Sequence, residues 1–376
     1  MPVRRSAPVV AVLLTVLLTP VPARADDAPP ALPTATDTCT GPSPVTSTAT
    51  PWASGTLAAP SIWPLTRGDG ITVAVLDTGV SAAAPALAGA VRPGTDVVTG
   101  GSADTDCRGR GTALAGIVAA RPQSGAGVIG TAPDATILPV RITDSKDKLT
   151  PATLTAGVKA ATSANVDVIL LAAGVAVPDQ ALHDAVEAAA DRDILIVAAV
   201  NGTAPTAAAP DPPIWYPAAF GTVLAVNAFG LDGAPGAVPD EAGTDLTGPG
   251  AGAWSIAPRG TGHYTVAGAG VAAAYVAGAA ALVRAYHPGL SQAEVRDRLI
   301  ATAQQPAAQL DAYAAVAGVV PAAPPPRPGA GAPPEIPRSP VTRSDAIPAA
   351  LVGLGALAVT GAAFAVVLTR RRLRDA

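Results

Sequence analysis

The sequence predicts an α/β fold, a doubly wound parallel sheet with helices on both faces, followed by a single C-terminal transmembrane helix. Three observations carry this. Short, apolar, β-branched runs alternate with longer runs of helical period, the pattern of strands joined by crossover helices. The 376 residues are 49% hydrophobic, enough to bury a sizeable core. Pro348 to Thr369 is an uncharged apolar stretch of 22 residues, and at about 1.5 Å per residue it covers the ~30 Å hydrocarbon core of a bilayer.

In chain order, Arg4 and Arg5 precede the apolar run Ala7 to Leu18, and Ala23-Arg24-Ala25 offers a small-residue cleavage site. Residues 1–25 therefore read as a secretory signal, too short in its apolar part to span a bilayer. A Pro- and Thr-rich extension, 26–60, leads into a domain at 61–320. Its expected strands are Ile71 to Leu76, Thr136 to Arg141, Val166 to Leu171, Ile194 to Val200 and Val223 to Val226. Its expected helices are Thr112 to Ala120, Pro151 to Ser163, Asp179 to Ala190, Val271 to Tyr286 and Gln292 to Thr302, the last opened by a capping box of Ser291 and Glu294. Val266 to Val283 is apolar enough to suggest a second span. Its small residues, and the Arg284 that ends it, instead predict a core helix that packs on all sides. Residues 321–347 form a Pro-rich linker without apolar periodicity, expected as a semi-rigid stalk. The span at 348–369 is followed by Arg370, Arg371, Arg372 and Arg374, which by the positive-inside rule keep the 370–376 tail in the cytoplasm and the large domain outside.

Three segments point to chemistry. Val73 to Val80 contains Asp77-Thr78-Gly79; Gly109-Arg110-Gly111-Thr112 follows; Gly268-Ala269-Gly270-Val271-Ala272-Ala273 comes far downstream. Between them stand Gly127 to Ala135 and Trp215-Tyr216-Pro217-Ala218-Ala219-Phe220. Together, over roughly residues 60 to 320, these resemble the subtilisin-like (subtilase) family, and within it the mycosins, membrane-anchored subtilases associated with bacterial type VII secretion. The resemblance implies a subtilisin-like sheet and a catalytic Asp, His and Ser in that chain order. Here the order is Asp77, Arg110, Gly270. A guanidinium has no lone pair with which to take a proton, and glycine carries no nucleophile. Asp77 is thus the retained acid, Arg110 stands at the His position and Gly270 at the Ser position. Asn201, in Val200-Asn201-Gly202, matches the family's oxyanion-donating Asn, although the glycine that usually precedes it is missing and Asn-Gly is also a favoured turn dipeptide. His183, His263 and His287 lie far in sequence from the motifs and are not expected to replace the base.

Deprived of an imidazole, a buried Asp77 needs another partner, and Arg110 is expected to supply it through a bidentate contact, with Asp77→Ala costing about 3 to 5 kcal/mol. Cys39 and Cys107 are an even count in an exported chain. Cys107 sits as in the mycosin pattern Asp-Cys-x-Gly-His-Gly-Thr, so the resemblance implies a Cys39–Cys107 disulfide strapping the extension over the motif region. A second cysteine pair common in mycosins is absent.

No nucleotide loop and no cluster of metal ligands is present, so neither cofactor nor metal is expected. The net charge of -4 provides no basic surface for nucleic acid. Arginine far outnumbers lysine (Lys146, Lys148 and Lys159), and with abundant Ala, Gly and Pro this fits a GC-rich, actinobacterial source. The reading implied is a membrane-anchored pseudoprotease that partners a type VII secretion membrane complex, with a peptide or protein ligand as a further possible partner in the former substrate cleft. Its rivals are an active endopeptidase with an unconventional site and a free-standing extracytoplasmic peptide receptor.

Overall fold

Seven parallel strands form the central sheet of the computed structural model, in the order β2-β3-β1-β4-β5-β6-β7. Residues 28–34, 38–143, 146–202, 213–231, 233 and 243–320 are described. The chain divides into two units, Met1–Val320 and Pro321–Ala376. The signal at 1–25, the linker at 321–347, the span at 348–369 and the tail at 370–376 all lie outside the described residues.

Two short helices, α1 (Trp52–Thr56) and α2 (Ala59–Ile62), precede β1 (Thr72–Asp77), β2 (Thr95–Asp96), α3 (Arg110–Ala119) and β3 (Thr136–Arg141). Then come α4 (Pro151–Ser163), β4 (Val168–Leu171), α5 (Gln180–Ala190), β5 (Leu195–Ala199), β6 (Leu224–Phe229) and β7 (Leu246–Pro249). An antiparallel hairpin of β8 (Ala253–Ile256) and β9 (His263–Val266) leads to α6 (Ala269–Tyr286), α7 (Gln292–Ala301) and α8 (Ala312–Ala317).

The alternation of side chains along each strand builds two cores. Val73 and Val75 of β1, Val168 and Leu170 of β4, and Val197 and Val226 face α3, α6, α7 and α8. Ala74, Leu76, Ile169, Leu171, Ile196 and Ala225 face α4 and α5. Period-2 alternation thus places an apolar row on each side of the sheet, and fully burying each Leu or Ile contributes about 1.5–3 kcal/mol. Helix α6 is long and apolar enough to cross a membrane, yet 83% of its apolar window is buried inside the domain. It is the core helix its small residues imply: Ala and Gly let the sheet approach closely on one side and α3 on the other.

Strand order reverses at β1, because the chain runs from β1 to the edge strand β2, comes back as β3 between them, and then crosses to the opposite side of β1 as β4. In open parallel sheets the crevice at the C-terminal strand ends beside such a reversal is where ligands bind. Asp77, the last residue of β1, lies there.

The extension is bound to the domain along much of its length. Leu32 N donates to Thr265 O at 2.9 Å and Thr265 N to Pro30 O at 2.8 Å, so residues 30–32 run beside β9. Farther on, His263 N donates to Val45 O (2.7 Å), and Ser47 N donates to His263 Nδ1 (3.0 Å). His263 is 2% exposed, and burial holds its pKa below the ordinary value. Since Nδ1 accepts a backbone N–H, this contact needs the neutral ring. With the folded pKa below the unfolded value near ~6.5, the unfolded state binds more protons in between, so the contribution is complete above ~6.5 and is lost as pH falls through the folded pKa. Hydrogen-exchange protection at residues 38–51, with the intrinsic pH dependence of exchange divided out, is expected to fall on going from pH 7.5 to pH 5 by more than protection in the sheet. His263→Asn keeps an acceptor that does not titrate and should flatten the response; an unchanged pH dependence in that variant would assign it elsewhere.

Candidate functional site

Three elements from distant parts of the sequence meet at the crevice: the C-terminal end of β1 and the N-termini of α3 and α6. The approach of α3 requires glycine, because a Cβ on Gly111 would lie 2.0 Å from Gly79 O. With the helix seated this closely, its first residue, Arg110, stands over Asp77. Arg110 Nε donates to Asp77 Oδ1 at 2.9 Å and to Oδ2 at 3.2 Å. Thr78 N donates to the same Oδ1 at 2.8 Å. The helix begins at Arg110, two residues before the sequence-expected Thr112.

Two details differ from the sequence-based expectation. Both contacts come from the one Nε, so the pair is not the two-pronged fork expected, and among the described residues Nη1 and Nη2 make no hydrogen bond. Burial is also unequal: the Asp77 side chain is 2% exposed and that of Arg110 is 40% exposed. Asp77→Ala would leave a cation that can still reach water, so the cost of about 3 to 5 kcal/mol belongs to removing Arg110 and not to removing Asp77. The charge of Asp77 is the main cause raising the Arg110 pKa above its ordinary value, and the group remains a cation.

Sequence reasoning missed Asp106. This carboxylate is 5% exposed. Its Oδ1 accepts from Thr78 Oγ1 (2.9 Å), Arg108 N (3.0 Å) and Gly109 N (2.8 Å), and its Oδ2 from Thr112 N (2.8 Å) and Thr112 Oγ1 (2.7 Å). Both hydroxyls point their protons at Asp106, because Thr78 Oγ1 accepts from Gly111 N and Thr112 Oγ1 accepts from Ser81 N. Asp106 therefore ties the loop after β1 to the first turn of α3 and fixes how Asp77 and Arg110 face each other. The available signal was its place as the Asp that opens the pattern Asp-Cys-x-Gly-His-Gly-Thr, three residues ahead of Gly109 at the entry to a helix. Arg141 braces the same loop from β3: its Nε donates to Thr78 O (3.0 Å) and its Nη1 to the buried Asp96 Oδ2 (2.7 Å).

The Cys39–Cys107 disulfide is formed and joins residues 68 apart. Thr40 N donates to Cys107 O and Thr40 Oγ1 to Arg108 O, both at 2.8 Å, so the extension lies directly against the loop that carries Asp106.

Arg110, Asn201 and Gly270 line one cleft of about 590 Å³, whereas Asp77 lies behind its wall. Gly270 is the second residue of α6. A Cβ placed on it would lie 2.6 Å from the backbone oxygen of Ala172 and 3.0 Å from the Ala172 Cβ. Asn201 follows β5, and its backbone oxygen accepts from Gly174 N at 2.8 Å. None of the three imidazoles lines the cleft. His183 is on α5 against Phe220, His263 is clamped under the extension, and His287 closes α6 with its Nε2 2.8 Å from Val316 O. Among the described residues no group of His, Cys, Asp and Glu forms a candidate metal site.

A parallel sheet that reverses at β1, with an Asp at that strand's end and two helix N-termini over it, is the architecture of a subtilase. Residues 68–319 match the Subtilase family, and the chain belongs to that family. It is 32% identical to subtilisin DY of Bacillus licheniformis over 238 residues, which is 63% of this chain and 85% of the relative. More particularly, it is a mycosin-like subtilase, related to the type VII secretion proteases. It is 33% identical to Mycosin-4 of Mycobacterium tuberculosis over 290 residues, covering 66% of this chain and 63% of that one. Among solved structures it resembles the serine protease MycP1, described as an essential component of the type VII (ESX-1) secretion system, with a TM-score of 0.67 and 27% identity, covering 78% of this chain and 96% of that one.

Proposed function

We propose that this chain is a membrane-anchored, mycosin-like pseudoprotease that acts as a structural or binding component of a type VII secretion system. The observation that carries the reading is the contact of Asp77 with Arg110, which lines a cleft that no imidazole lines. Acyl transfer by a subtilase needs a hydroxyl nucleophile, an imidazole to take and return its proton, and a buried carboxylate to orient that imidazole. In this reading Asp77 is the retained acid, Arg110 occupies the place of the base, Gly270 that of the nucleophile, and Asn201 is the former oxyanion donor. A guanidinium whose pKa its carboxylate partner raises further cannot serve as a base. With base and nucleophile both absent, what remains of catalysis in such sites is about 10³ to 10⁴-fold over water, from binding and oxyanion contacts.

The secretion-system assignment draws support from the likeness to Mycosin-4 and to MycP1. The anchor draws support from the uncharged run Pro348 to Thr369 and the arginines after it. The domain partition follows: signal 1–25, extension 26–60, subtilisin-like domain 61–320, linker 321–347, span 348–369 and tail 370–376. A fluorophosphonate probe, which labels activated serines, is expected to leave the full chain unlabelled under conditions that label subtilisin stoichiometrically. Labelling of any serine to a stoichiometric level would overturn the pseudoprotease reading and restore the active-endopeptidase rival.

A further inference from the structure

We propose that the cleft beside Arg110 binds the carboxylate of an apolar peptide, holding it on the two free Nη groups of Arg110. The inference deepens the pseudoprotease reading and rests on it for the absence of cleavage. Three observations lead there.

The first is charge. Two guanidiniums, Arg108 and Arg110, line the cleft with one carboxylate, Asp147, whose Oδ2 is 3.6 Å from Arg108 Nε and whose charge also acts on Arg110. Asp77 is spent on Arg110 Nε from behind the wall, and Asp106 on its five donors. Arg110 therefore brings to the cleft a cation held in place from behind, with its forked end unengaged among the described residues. A planar guanidinium of this kind matches a carboxylate with two parallel N–H···O bonds. The first turn of α6 opens into the same cleft at Gly270 and Val271, and its N–H groups add to the positive potential.

The second is a set of three buried polar atoms without a hydrogen-bond partner among the described residues: Thr143 Oγ1, Asn201 Oδ1 and Asp147 Oδ1. Thr143 is 3% exposed, and all three residues line the cleft. An unsatisfied acceptor asks for a donor. A peptide end offers both a carboxylate and N–H groups, whereas an inorganic anion such as phosphate at neutral pH offers mainly acceptors. The third is the remaining wall, which is apolar through side chains such as Leu114, Leu149 and Val266 and suits the flanking residues of a peptide.

The carboxylate has two sources in a peptide, the C-terminus or an acidic side chain. Three probes separate them: acetyl-Ala-Ala-Val-Leu as the free acid, the same peptide as its C-terminal amide, and acetyl-Ala-Ala-Asp-Leu as the amide. Affinities are measured by calorimetry on the detergent-solubilised full chain. Free acid binding about tenfold more tightly than the neutral amide assigns the site to a C-terminus, and the Asp peptide doing so assigns it to a side chain. Equal affinity of all three overturns the proposal. Arg110→Lys keeps a cation for Asp77, so the fold is retained, but it loses the fork; the preference should drop to about threefold or less. A preference unchanged in Arg110→Lys would also overturn it. Mass spectrometry of the recovered probes keeps the two readings apart, because cleavage of the amides contradicts the pseudoprotease assignment, while equal affinities contradict only the clamp.

Discussion

Arg110→Ala is expected to lower the unfolding free energy by about 3 kcal/mol, and Asp77→Ala by only about 1 kcal/mol, although the two changes break the same contact. The difference comes from what each leaves behind. Without Arg110, the Asp77 carboxylate, 2% exposed, keeps only the Thr78 N–H as a donor among the described residues. Without Asp77, the Arg110 side chain is 40% exposed and its guanidinium turns to water. Urea midpoints with unchanged slopes would measure both values. A larger loss from Asp77→Ala than from Arg110→Ala would show that the pair is not organised around a buried carboxylate.

On the proposed pseudoprotease reading, supplying an imidazole at Arg110 and a hydroxyl at Gly270 is expected not to create proteolysis. The double variant Arg110→His with Gly270→Ser supplies the residue types of the subtilase mechanism, yet the serine's Cβ would meet the Ala172 backbone oxygen at 2.6 Å. Real Cβ atoms do not approach a backbone oxygen so closely, so either the start of α6 or the strand end at Ala172 must move. Overpacking of this kind costs about 1–3 kcal/mol and displaces the hydroxyl from the position attack requires, where even a 1 Å error can cost about 10²-fold. Trimming the neighbour by a further Ala172→Gly removes the 3.0 Å contact with its Cβ but leaves the nearer backbone oxygen in place. The double and triple variants should therefore both remain unlabelled by a fluorophosphonate and should melt below the parent. Stoichiometric labelling of the introduced serine in the double variant would show that the cleft adapts and that only the two side chains separate this chain from an active enzyme.

Much of the architecture follows from the sequence alone, because it depends on local pattern. The β-branched runs became β1, β3, β4, β5 and β6, with Thr136–Arg141 and Pro151–Ser163 matching residue for residue. The capping box at Ser291 and Glu294 forms as its spacing implies, with Ser291 N donating to Glu294 Oε2 at 2.8 Å. The apolar α6 was separable from a membrane span because small residues and a terminal arginine are local features. Elements without a local signature were not legible. Strand β7, Leu-Thr-Gly-Pro, has the composition of a turn and exists because β6 presents an open edge to it. The β8–β9 hairpin and the short α1, α2 and α8 likewise take their form from what they pack against.

The site divides the same way. Sequence singles out Asp77, Arg110, Gly270 and Asn201 as candidates, since each stands in a contiguous motif. It did not identify Asp106 as the group joining two of those motifs, nor the unequal burial of the ion pair, nor the Ala172 oxygen that closes the space at Gly270. Those depend on the sheet order, which brings the end of β1 beside β4 and sets α3 and α6 over both. Motifs record which side chains are present. Distances and solvent access between segments tens of residues apart arise only when the strands pair and the helices pack, so whether a cation is shielded, a carboxylate stranded or a hydroxyl excluded is decided by the tertiary structure.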